Sequence, residues 1–287
     1  MNQYYETIMN LPAADDFKHL VQKWNTLSDR LKQTPLSTPS ILPDMLWIVD
    51  PGSGITKKLT LLSEYIAAQG NLMDFYGDVK FFEFLMNYCP PDTPCTEIPR
   101  LMNEVRNAAG FRSEYRGMIR IHIDEWIGHC EEEHFTSLLE YLASNSDNWL
   151  IIFTISSFKA SDSSTLEAIL SMYLRIEKLT LRLPDVQSLF EYAEDILASF
   201  GFTLNEQAKS LLVDSIEILK RGKYFDGYKT IKLLCHDIVY DSFSNSQNSD
   251  TLLTEQTLSA FSVGSPYLER AIIKTERIYP IGFSVRG

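Results

Sequence analysis

Two adjacent carboxylates, Asp124 and Glu125, close the stretch MIRIHIDEW. An aspartate in that place can enter the shell of a divalent cation, and the glutamate beside it can activate a water. Two carboxylates side by side at the end of a central strand are costly unless a cation or water uses them. A solvated acidic turn is the plainer reading. A second stretch, WIVDPGSGITKK at 47–58, runs from an apolar strand through a glycine-containing turn into a helical pattern. In a phosphate-binding loop, successive backbone N–H groups wrap a phosphate and the helix points its positive end at it. Laid on the pattern G-x-x-x-x-G-K-[ST], the first glycine is Val49, the second is Gly54, the lysine is Ile55 and the hydroxyl residue is Thr56. A glycine turn joining a strand to a helix fits the same residues. The third stretch, WLIIFTISS, ends polar, so that Ser156 or Thr154 can orient a water.

The remaining reactive side chains say less. His122, His129 and His134 lie near Asp124 and the run Glu131–Glu133, which raises a metal cluster, or an unrelated α/β enzyme using His122, Asp124 or Cys130, as a further alternative. His129 and His134 are five apart, which does not put them on one helix face. EEEH reads as a solvated helix start, where negative charge is favoured. The cysteines, Cys89, Cys95, Cys130 and Cys235, are scattered, and prolines 90, 91 and 94 separate the close pair. They do not complete a zinc set and read as reduced thiols.

The elements that must position these residues follow from hydrophobic periodicity. Strands are expected at 45–49, 79–86, 118–123 and 149–155, with helices at 56–69, 96–109 and 134–144 between them. This alternation predicts an α/β fold with a parallel sheet covered by helices, and ligands bind such sheets at the carboxyl ends of the strands. The Gly52 turn, Asp124 and Ser156 all fall there. Arg120 and His122 interrupt the third strand at period two, hence on one face. Upstream, Phe17, Leu20, Val21, Trp24, Leu27 and Leu31 mark an amphipathic helix, and Gln33 to Pro43 reads as a linker. Beyond Pro184 three helices are expected, with Gly201 and Gly222 ending the first two, followed by a polar linker at 242–250 and a tail with an apolar Ile278–Phe283 end. The expected domains are a helical segment and linker at 1–40, an α/β core at 41–183, a helical lid at 184–245 and an extension at 246–287.

The 287 residues carry a net charge of −12 with 45% hydrophobic and 22% charged residues. These values suit a globular chain with a real core. The acidity argues against broad binding to nucleic acid or anionic lipid. The first residues lack a secretory pattern, and no apolar run approaches a membrane span. A cytoplasmic protein is expected.

The order of pieces resembles the AAA+ ATPases over about residues 30–245: strand, P-loop, helix, strand, helix, Walker B, helix, polar-ended strand, then a three-helix unit. PGSG has that family's flavour. RIEKLTLRLPDVQSLFEYAEDILASFGFTLNEQAKSLL is similar to its passage from a last strand, ending in proline, into a helical lid. The resemblance implies ATP and Mg²⁺ as ligands. Gly52, Ser53 and Gly54 would supply phosphate-binding amides, Ile55 would stand at the lysine position, and Thr56 and Asp124 would serve the metal. Glu125 would be the catalytic base, and Ser156, or else Thr154, would be sensor 1. Lys229 would take the place of the sensor 2 arginine. Arg175 is the candidate for a finger reaching a neighbouring subunit; no pore-loop aromatic is assigned, although Tyr88 and Tyr115 are available.

The departures matter. Losing the phosphate lysine removes a charge-assisted contact worth about 1.5–3 kcal/mol and, more seriously, transition-state charge stabilisation. Lys57 lies about 200° round the helix from Ile55, and Lys58 sits nearly a turn deeper. Two functions remain open: weak ATP·Mg²⁺ binding with slow hydrolysis coupled to remodelling or regulation of a macromolecular partner, or an inactive pseudo-ATPase acting as a scaffold or adaptor. A protein partner, or an oligomer with itself or other AAA+ subunits, is expected in either case.

Overall fold

The computed structural model describes residues 2–12, 14–33, 41–222, 225–245 and 251–274. Helices α1 (Gln3–Met9) and α2 (Asp15–Gln33) lead to strand β1 (Asp44–Val49) and helix α3 (Ile55–Gln69). Then come β2 (Phe81–Leu85), α4 (Glu97–Ala109), β3 (Gly117–His122), α5 (Glu133–Ala143), β4 (Trp149–Ser156), α6 (Ser163–Tyr173) and β5 (Ile176–Leu181). The five strands form one parallel sheet in the order β2-β3-β4-β1-β5. All of β4 except Ser156 is buried. Parallel strands covered on both faces read as near-continuous apolar runs, which is why 45–49 and 149–155 are legible as strands.

The period of two sorts the sheet into two cores. Leu46, Ile48, Ile119, Ile121, Ile151, Phe153 and Ile155 pack with Leu101, Leu138, Leu142 and Leu166 of α4–α6. Met45, Trp47, Met118, Leu150 and Ile152 pack with Ile8, Phe17, Trp24, Leu59 and Leu62 of α1–α3. Burying one such side chain contributes about 1.5–3 kcal/mol.

The chain divides into two compact units. One holds 1–50 and 54–182, so α1 and α2 pack with the sheet; the other holds 51–53 and 183–287. The second unit is built from α7 (Val186–Ser199), the short β6 (Thr203–Leu204), α8 (Glu206–Lys220), α9 (Gly227–Asn245), β7 (Leu252–Leu253), α10 (Glu255–Leu258) and α11 (Pro266–Lys274). Gly201 takes φ +83° after α7, as a helix-ending glycine does. Residues 242–245 continue α9, so the linker expected from Ser242 begins later. The apolar Ile278–Phe283 end lies outside the described residues.

Candidate functional site

Within the sheet unit the carboxyl ends of three strands bring polar side chains together. Register places Glu83 beside Arg120, and His122 beside Thr154. Arg120 and His122 therefore share the α3 face of β3, as their spacing predicts. Arg120 Nη1 reaches Glu83 Oε2 at 3.0 Å, and its Nε donates to Thr154 Oγ1 at 3.1 Å. Thr154 is fully buried and also meets His122 Nδ1 at 3.3 Å. The other ring nitrogen of His122 stands 3.4 Å from Asp124 Oδ2. Asp124 opens a short 3₁₀ turn, Asp124–Trp126, directly after β3. Its carboxylate accepts the Ser156 N–H at 2.7 Å and the Ser156 hydroxyl, while Lys159 Nζ donates to its backbone oxygen at 2.5 Å.

Thus Asp124 and Ser156, expected to converge from strands 3 and 4, are bonded to each other. Glu125 is exposed, and one of its oxygens accepts the Tyr88 N–H at 3.0 Å. Thr56, exposed in the first turn of α3, donates to Glu83 Oε1 at 3.5 Å. Sequence reasoning misses Glu83 and Lys159. The signal for Glu83 is a lone carboxylate inside the apolar run FFEFL.

Each remaining candidate has a definite place. Gly54 caps α3 with φ +74°, a left-handed conformation that glycine adopts without steric cost. Ile55 is half-buried against the α1–α3 core. Lys57 is exposed, and Lys58 turns inward to 5% exposure, where burial lowers its pKa to about 8. Gly52 and Ser53 belong to the helical unit, and there Gly52, at φ +78°, packs backbone to backbone on Gly227. A Cβ at Gly52 would lie 2.3 Å from the Gly227 nitrogen. In the same unit Lys229 pairs with Asp226 at 3.6 Å and is otherwise exposed. Arg175 precedes β5 at the amino edge of the sheet, where it lines a cleft with Asp44, Ser146 and Asp147.

Tyr115 corrects an expectation. It is 2% exposed, and its hydroxyl donates to the carbonyls of Lys80 and Met118, so it is a core tyrosine and not an available pore aromatic. Tyr88 donates its hydroxyl to Glu132 and packs edge-on against Trp126 and tilted against His129. The histidines go to separate partners: His129 to Glu132 and His134 to the Thr93 carbonyl. Among the described residues no three His, Cys, Asp or Glu side chains gather as a metal cluster, and no helix is long and apolar enough to cross a membrane.

Neither a protein-family model nor a curated protein matches the sequence. Solved structures do. PCH-2 of C. elegans superposes with a TM-score of 0.54 at 15% identity, over 96% of this chain and 74% of that one. A mutant of Thermotoga maritima RuvB gives 0.53 at 12% identity, over 88% and 71%. Another structure of that RuvB, described as a Holliday junction branch migration motor, gives 0.50 at 12%, over 85% and 68%. The chain has the AAA+ ATPase fold. On the AAA+ sheet, the ends of β3 and β4 carry the polar network described above.

Proposed function

We propose that this protein uses the AAA+ fold as a protein-interaction scaffold and does not turn over ATP. The observation that carries this reading is the state of Asp124. Its two carboxylate oxygens are engaged by Ser156 and faced by His122, while the lysine position of the loop is Ile55. Mg²⁺ prefers oxygen donors in a strict octahedral shell. Thr56 and Asp124 are oxygen donors of the right chemistry, and a metal would have to share Thr56 with Glu83 and Asp124 with Ser156. Gly52 packs its Cα side on the Gly227 backbone. The net charge of −12 favours a protein partner over nucleic acid, and assembly with itself or with other AAA+ subunits is the arrangement through which such a scaffold would act.

A second reading has its own observations. Gly52 and Gly54 keep left-handed backbones in the loop, and Thr56, Asp124 and Glu125 are all retained. They favour weak ATP·Mg²⁺ binding with slow hydrolysis, coupled to remodelling or regulation of a partner. There Thr56 and Asp124 would hold the metal, Gly52–Gly54 and Lys229 would serve the phosphates, and Glu125 with Ser156 would handle the water. Bound ATP·Mg²⁺ would supply the hydrolysable phosphoanhydride.

Calorimetric titration with ATP·Mg²⁺, run beside a phosphate-release assay, separates the two. The scaffold reading expects no phosphate release above the buffer rate. Release that is abolished by Glu125→Gln sinks it.

A further inference from the structure

The loop between β2 and α4 folds back on itself around two cysteines. Its outer rung is the Asn87 N–H donating to Glu97 Oε2 at 3.0 Å, with Glu97 itself only 2% exposed and paired to Arg100. Its inner rung is a turn in which the Pro90 carbonyl accepts both the N–H and the hydroxyl of Thr93, at 3.0 and 2.8 Å. Between these rungs stand Cys89 and Cys95, two residues inside each pinned end, and both side chains pack on the same apolar cluster. Both are free thiols; Cys95 is half-exposed and Cys89 is buried. Cys130 is buried in the same apolar cluster as Cys89, and Cys235 is buried in the core of the helical unit.

We propose that Cys89 and Cys95 form a reversible intramolecular disulfide, making this loop a thiol-oxidation site. The co-reactant is a low-molecular-weight disulfide. Cys95, the accessible thiol, loses its proton and attacks one sulfur of the external disulfide, expelling the other as a thiolate that is then protonated. Cys89, deprotonated in turn, attacks Cys95 Sγ and expels the second external thiolate. One external S–S bond is broken and one internal S–S bond is formed. The two cysteines lose two electrons and two protons, and the external disulfide becomes two thiols. Closure is short-range, because the turn at 90–93 and the Asn87–Glu97 bond have already ordered the ends. Burial, with Cys89 and Glu97 nearby, holds the Cys95 thiol above its ordinary pKa, so the reaction is slow at neutral pH and faster in mild base. The same loop carries Tyr88, whose N–H holds Glu125, and the Asn87 carbonyl, which accepts from Trp126 Nε1 at 3.0 Å.

The test uses the full chain in buffers of graded glutathione and glutathione disulfide, with thiols then blocked by alkylation and peptides mapped by mass spectrometry. The expected result is a peptide spanning both cysteines that is lighter by two hydrogens, unalkylated at both sites and restored by dithiothreitol. Cys95→Ser, at a half-exposed position, should abolish that species. Persistence of two alkylatable thiols in the most oxidising buffer, or separate glutathione adducts on each cysteine, would overturn the proposal. The readout does not involve nucleotide and stands apart from the proposed function.

Discussion

At the scale of single residues, the proposed scaffold role rests on Asp124 as well as on Ile55. Asp124 is bonded within the chain to Ser156, whereas Glu125 beside it is exposed and accepts the Tyr88 N–H. Ser156 illustrates the consequence. Its N–H and hydroxyl both go to Asp124, a carboxylate largely shielded from solvent beside His122. Ser156→Ala removes the hydroxyl contact and should destabilise the protein by about 1–2 kcal/mol, measured by urea unfolding, with no change in phosphate release. Gly52 gives a sharper case. Its φ is +78°, and a Cβ there would stand 2.3 Å from the Gly227 nitrogen, which leaves no room for alanine. Gly52→Ala should cost about 1–3 kcal/mol in protein free of any ligand. A wild-type melting temperature in that variant would show that the Gly52–Gly227 packing is not part of the stable fold in solution.

At the scale of elements, the carboxyl and amino edges of the sheet differ in chemistry. Asp44 opens β1 at the amino edge with 6% exposure, and its carboxylate accepts the Ile151 N–H at 2.7 Å. Burial outweighs that bond and raises its pKa to about 7. The folded state therefore holds a proton that the unfolded state, titrating near the usual 3.8, has given up. Between these values stability gained from Asp44 grows as pH falls and is lost as pH rises through about 7. Asp44→Asn keeps an acceptor without the charge, so it should stabilise the protein by about 1–3 kcal/mol at pH above that point and by progressively less toward acid; chemical denaturation across that range measures it. The same strand is plain in the sequence, because both of its faces are covered and its residues run apolar. β5 is harder to read from periodicity: at the sheet edge, Glu177, Lys178 and Thr180 break the run, and the family resemblance suggests it instead. Helix α6 escapes the sequence reading altogether. The network is half legible: Arg120 and His122 betray a shared face, and the strand ends predict that Asp124 and Ser156 meet. That Thr154 ties Arg120 to His122 depends on the β3–β4 register, which a single strand's pattern does not carry.

At the scale of the molecule, the helical unit has a core of its own, and the C-terminal segment completes it. Leu253, Leu258, Phe261 and Leu268 are each buried by at least nine-tenths among the side chains of α7–α9. The buried Ser215 hydroxyl of α8 donates to the Phe261 carbonyl at 2.8 Å. Each apolar side chain lost from that core removes about 1.5–3 kcal/mol, and a whole domain is stable by only about 5–15 kcal/mol. Deleting residues 251–287 should therefore unfold the helical unit and leave the sheet unit protected. Hydrogen–deuterium exchange followed by mass spectrometry reads the two separately. The expected pattern is rapid exchange across α7–α9 with slow exchange kept in β1, β3 and β4. Slow exchange in α7–α9 after the deletion would mean that the three helices suffice alone, and rapid exchange in both units would mean that sheet and helices unfold as one cooperative body.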